Sequence, residues 1–343
     1  MSARIVQILE VLVGLWLLVL LFRSLITVTL LERHRRDPIR DFTARSTWFL
    51  FRNFLGRGRS PGQFDRRLLW FWPVSLFVLM GAWYLHGILA FAFLYRAAGA
   101  SSTWLDALLT SGSALSTLGY KTPPGTIGQV ISIAEGGMGL FVIVYILSFV
   151  PGYLGIIQAR TDRVDAVYVR TGHPATGVAL LEWYLRSGRP EALGEHWYDW
   201  EAWFRTLGAA QSLSPGLTIA PSYWPGESWV NASAVVLDTA ALAIAALGAP
   251  PRGHALICLE TGERALAAVA SSMRVQVGTA PGCLVSRAQF DVALDRLAAA
   301  GAKVSPDRDR AWADFVPLRR RYEPSLVALA AEVLAEIDAW PVA

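Results

Sequence analysis

The stretch Ser102-Thr103-Trp104-Leu105-Asp106, continuing through Ser116-Thr117-Leu118-Gly119-Tyr120 to Lys121-Thr122-Pro123-Pro124-Gly125, decides how this chain is organised. Thr103 offers a hydroxyl cap with an acid three residues later, the pattern of a helix start. Leu105, Ala107, Leu108, Leu109 and Ala114 continue it as a short apolar helix. The helix should stop at Ser116, and Pro123-Pro124-Gly125 turns the chain away. The whole connection is too apolar for a simple surface loop. A short helix followed by an extended return forms a re-entrant loop, which at membrane depth is tolerated only inside protein or along a water-filled path.

What flanks the stretch supports membrane depth. Of the 343 residues, 54% are hydrophobic and 17% charged, against about 25% charged in ordinary soluble domains. Three segments approach or exceed the roughly 20 apolar residues that cross a bilayer: about Ile5 to Leu31, Leu68 to Tyr95 and Ile127 to Ile157. The aromatic cluster Trp70-Phe71-Trp72 suits a lipid–water interface. The first segment is longer than a signal-peptide core and no small-x-small cleavage site follows it, so it is expected to stay as a membrane helix.

Charge orients these segments. Residues 32–67 hold ten arginines against four acids, whereas the connection 96–126 holds only Arg96 and Lys121 as cations. The arginine-rich loop is therefore expected on the cytoplasmic side, where it can meet anionic lipid. The N-terminus and the connection 96–126 then lie outside, and 158–343 lies inside. With 17 basic and 20 acidic residues in 158–343, the basic pI belongs to the juxtamembrane loop, and no nucleic-acid partner is expected.

The 116–120 segment has the chemistry to coordinate a cation. Carbonyls of an extended Thr-Leu-Gly-Tyr run can replace an ion's hydration shell. Gly119 allows the positive φ that keeps successive carbonyls on one side, and the short helix aims its negative end at the path. Ser-Thr-Leu-Gly-Tyr between two membrane helices resembles the Thr-Val-Gly-Tyr-Gly signature of the potassium channel family, over roughly residues 68–157. Ala134-Glu135, Gly139-Leu140, Phe149-Val150-Pro151, Gly226-Glu227-Ser228-Trp229 and Val236-Leu237-Asp238 further resemble a group of bacterial two-pore-domain-type potassium channels.

The resemblance implies an all-α membrane protein with a pore-loop module: outer helix, pore helix, filter and inner helix. An extra N-terminal membrane helix with its linker (1–67) precedes the pore domain (68–157), and a mostly helical cytoplasmic regulatory domain (158–343) follows it. It implies that Thr117, Leu118, Gly119 and Tyr120 bind K+ in a homotetramer of the bacterial inner membrane, with Na+ as an alternative permeant ion and no cofactor. In the family an inner-helix glycine acts as a gating hinge. Gly136, Gly137 and Gly139 match that position approximately, and close helix packing is the other reading of them. Pro151-Gly152 marks a second expected break.

The pattern departs at Lys121, where the family has glycine. A lysine takes that glycine's backbone conformation only with strain, and four lysines would ring the outer mouth with positive charge. Weakened selectivity, a non-conducting receptor or scaffold, and an outward-pointing lysine without effect all remain open. Glu135, inside the third segment, is costly there and is a functional candidate. It is expected to brace the filter through Ser111, Ser113 or Ser116, or to be a solvated acid near the interface.

Beyond residue 157, helical periodicities run at about 174–187, 194–210, 231–247, 261–274, 286–300 and 323–339, interrupted by prolines. No dinucleotide fingerprint, P-loop or EF-hand loop occurs. Cys258 and Cys283 lack metal-ligand spacing. His173, His196 and His254 are scattered without a nucleophile–base pairing, so no enzyme is expected. Trp197, Trp200, Trp203 and Phe204 fall at helical spacing, as a core face or a face on the membrane. Arg319-Arg320-Arg321 reads as a solvated charge run, with anionic lipid as the alternative.

Overall fold

The computed structural model describes residues 2–29, 37–51, 71–188, 192–213, 226–247, 252–278, 283–333 and 335–341, with a few single positions between them. Most of the arginine-rich loop, Trp70 and the side chains of Phe71 and Trp72 lie outside the described residues. Every regular element among the described residues is helical. In chain order these are α1 (Ser2–Thr29), α2 (Pro38–Leu50), α3 (Phe71–Ala97), α4 (Trp104–Leu115), α5 (Gly125–Thr171), α6 (Gly177–Arg186), α7 (Ala192–Leu213), α8 (Trp229–Leu242), α9 (Arg252–Met273), α10 (Arg287–Ala299) and α11 (Arg308–Val333). A π-helical turn, Ala243–Leu247, extends α8.

Four helical windows are long and apolar enough to cross a membrane: Arg4–Val28, Pro73–Ala97, Gly125–Ser148 and Trp229–Leu247. Burial separates them. The last is 89% buried inside the protein, whereas the first three are 17%, 28% and 22% buried and turn their apolar side chains outward. A helix that is apolar all round is either a buried core element or a membrane span, and Trp229–Leu247 is the former.

The chain forms two compact units, one from Met1–Gly58 with Trp70–Gly155, the other containing Ile156–Ala343. In the first, α1 lies against α3 so closely that a Cβ at Gly14 would sit 2.9 Å from Leu94 Cδ2 and 3.0 Å from the Ala90 carbonyl. A buried polar chain ties them together again further along α1: Trp83 Nε1 donates to Ser24 Oγ at 2.9 Å, and Ser24 donates to Asp37 Oδ1 at 2.9 Å. Asp37 accepts the Arg40 amide at 2.7 Å, so the same carboxylate caps α2. Hydrogen bonding of this kind is what allows these polar groups among apolar helices.

In the second unit α7 packs along α9, with Gly208 against Ala265. Trp197, Trp200, Trp203 and Phe204 are all buried, so the aromatic stripe is a core face. His196 lies beside it, 8% exposed, its Nδ1 accepting from Trp200 Nε1 at 3.0 Å and lying 2.7 Å from Tyr184 Oη. Burial, with Arg170 and Arg163 nearby, pushes the His196 pKa down to about 3.

Three expectations need correction. Arg319 is not part of a solvated run: it is 3% exposed, its guanidinium donating to Asp238 Oδ2 and Glu323 Oε1 at 2.8 Å each. Tyr322 and Trp340 complete the cluster by donating to Asp238 at 2.5 and 2.7 Å. The last helix spans Arg308–Val333 rather than 323–339 and carries Pro317 and Pro324 inside it, while 335–341 is not helical. Pro151 likewise interrupts nothing, because α5 runs unbroken from Gly125 to Thr171. A proline removes one amide donor and crowds one carbonyl, but the helix continues past it at each of these positions.

Candidate functional site

α4 begins where the cap pattern places it. Thr103 is extended, and its hydroxyl accepts the Asp106 amide at 3.1 Å. Twelve residues later the helix closes at Ser116, whose Oγ donates to the Gly112 carbonyl at 2.5 Å. Ser116 thus closes the helix that supports the following turn.

The backbone then changes hand at alternate residues. Thr117 has φ 58° and Gly119 has φ 66°, and neither Leu118 nor Tyr120 is left-handed. Gly119 adopts this at no steric cost, whereas a β-branched threonine there is a local outlier worth about 1–3 kcal/mol of strain. Lys121, expected to carry the strain, is not left-handed; the strained side-chain position is Thr117.

Ser113 organises the return strand. Its carbonyl accepts the Gly119 amide at 3.1 Å and its hydroxyl accepts the Lys121 amide at 2.9 Å. Both amides therefore face α4. In a planar trans peptide the carbonyl of the preceding residue points the opposite way, so the Leu118 and Tyr120 carbonyls turn away from α4. Their side chains are exposed, Leu118 at 73% and Tyr120 at 64%. Tyr120 Oη reaches back to the Leu109 carbonyl at 3.2 Å. The result is an extended run fixed on one side and open on the other.

Glu135 is fully buried, which removes the solvated reading. Tyr95 of α3 donates to its Oε2 at 2.8 Å and Ser111 of α4 donates to its Oε1. Ser111 also lies 3.0 Å from the Ile88 carbonyl. The carboxylate thus joins α3, α4 and α5 behind the helix that holds the 117–121 segment. Of the three serines expected to meet Glu135, Ser111 does so; Ser113 holds the return strand and Ser116 closes α4.

The three glycines of α5 differ. A Cβ at Gly139 would lie 2.0 Å from the Leu115 carbonyl, one at Gly136 3.5 Å from the Ala114 carbonyl, and one at Gly137 would meet nothing within 4 Å. Gly139 is where α5 crosses the end of α4, and no side chain fits there.

Comparison with protein-family models, with curated proteins and with solved structures returns no match. The functional reading therefore rests on the residues themselves.

Lys121 forms an ion pair with Asp106 Oδ1, in the first turn of α4. The hydrogen bond from Lys121 holds the Asp106 carboxyl below its usual range. Arg96 is engaged elsewhere, 3.4 Å from Glu10 of α1, 2.8 Å from the Ser102 carbonyl and 5.1 Å above the Trp104 ring. Asp106 as a partner of Lys121, Ser113 as the backbone anchor and Tyr95 as the second ligand of Glu135 are not apparent in the sequence. Each pairs residues at least six positions apart that carry no shared motif.

Proposed function

We propose that the chain is a potassium-channel-like cation channel, in which four copies present the Thr117–Tyr120 backbone to a common axis. The observation that carries this reading is the pair of Gly119 and Lys121 amides on Ser113, which turns the Leu118 and Tyr120 carbonyls to the open side. Carbonyls arranged this way replace the hydration shell of a cation when several chains share an axis. The exposed apolar residues around them, Leu118 among them, call for cover from further copies or lipid. In this reading the helices α1, α3 and α5 cross the bacterial inner membrane. Residues 158–343 form the cytoplasmic domain, and the arginine-rich loop faces anionic lipid.

A weakly selective pore is the second reading, favoured by one feature. At Lys121 the alternation of backbone hand stops, so the run of oriented carbonyls is shorter than in the family signature. Both readings are tested with full-length protein in liposomes under a potassium gradient. Barium-sensitive potassium flux supports a channel, and repeating the assay with sodium ranks selectivity. Absence of cation flux across a range of voltages and pH supports a receptor or scaffold that keeps the pore fold.

A further inference from the structure

We propose that Asp106 is a positioning residue for the outer mouth of the pore: it holds the Lys121 ammonium against α4 and cancels its charge, so that the lysine replacing the signature glycine does not repel permeant cations. This rests on the channel reading above.

Lys121 is tied to α4 at two points. Its amide donates to Ser113 Oγ at 2.9 Å and its ammonium pairs with Asp106, two helical turns earlier. The Tyr120 carbonyl is antiparallel to that amide, so it opens on the side opposite to α4 while the ammonium is drawn to the α4 side. Both side chains are about one-third exposed, 31% and 32%, so water and salt reach the pair. The other cation of the 96–126 connection does not compete, because Arg96 is taken by Glu10 and the Ser102 carbonyl. Without Asp106, each copy would contribute one uncompensated positive charge at the mouth.

A pair this exposed contributes little to stability. Its consequence is therefore read in ions. Charge lining a cleft changes the local concentration of an approaching ion by about tenfold or more, and the effect fades as the Debye length falls from about 30 Å at 0.01 M salt to about 3 Å at 1 M.

The test is potassium flux in liposomes for the wild type, Asp106→Asn, Asp106→Glu and the double variant Asp106→Asn with Lys121→Gln, each at low and high salt. The expected result is a fall of about tenfold for Asp106→Asn at low salt, largely recovered at high salt, restored by adding Lys121→Gln, and absent in Asp106→Glu. Equal flux in Asp106→Asn and wild type at low salt overturns the proposal. So does a loss that neither salt nor Lys121→Gln relieves, which would make Asp106 merely structural. A wild type without barium-sensitive flux is a separate outcome: it rejects the channel reading, and this proposal falls with it.

Discussion

The two units bury opposite things. Around Asp238 the second unit encloses a compact charged cluster in a dense apolar core, with Arg319 between two carboxylates and Tyr322 and Trp340 closing it. The first unit shows apolar side chains outward and keeps its polar groups between helices: Trp83–Ser24–Asp37, and Tyr95 and Ser111 on Glu135. An apolar exterior with a hydrogen-bonded interior fits lipid, where every polar group must find its partner within the protein. The difference also separates four helices of similar composition into three outward-facing ones and one core helix.

The comparison is broken most strongly at Arg319. Substituting Met leaves Asp238 and Glu323 buried without their cation, and loss of one partner from such a cluster costs about 3–5 kcal/mol. Thermal unfolding of the full-length protein should show the second unit melting first. An unchanged midpoint would mean that the cluster is hydrated.

Next comes Gly139. Alanine there meets the Leu115 backbone at 2.0 Å, and overpacking against backbone costs about 1–3 kcal/mol or more. Gly137→Ala faces open space and should stay within about 0.5 kcal/mol. Folded yield in detergent compares the two; equal yields would argue against the tight crossing of α4 and α5.

The third prediction concerns pH. His196 binds a proton less readily folded, at a pKa of about 3, than unfolded, at about 6.5. Its contribution is complete above the unfolded value and is lost as pH falls through this window, by about 2 kcal/mol between pH 7 and pH 5. Melting at both pH values should show a smaller acid shift for His196→Gln. Identical shifts would place the acid sensitivity elsewhere.

The fourth prediction is at Tyr95. Phenylalanine removes one donor to the buried Glu135, at a cost of about 1–3 kcal/mol in the first unit alone. The second unit's transition should not move; if it does, the two units do not melt independently.

Local chemistry was readable in the sequence. The Thr103 cap, the α4 stop at Ser116, the three outward-facing apolar helices and the helical spacing of the aromatic stripe all follow from neighbours within one or two turns, whereas the burial of that stripe is shown by the structure. Long-range pairing was not. Arg319 looks solvated beside Arg320 and Arg321 because its partner Asp238 lies 81 residues away. Asp106 reads as a helix-start acid, which it is, and only the fold brings Lys121 to it. Pro151 reads as a break because a proline removes one amide donor from a helix, yet α5 continues through it. The handedness at Thr117 is set by its attachment to α4, which no local propensity predicts.

The most direct test of the central claim is a structure of the protein grown in rubidium, with anomalous scattering to locate the ion. The account predicts rubidium on an axis shared by four copies, facing the Leu118 and Tyr120 carbonyls, with Lys121 folded back on Asp106. Copies that share no axis through residues 117–120, or a Lys121 ammonium standing in the ion path, would contradict it.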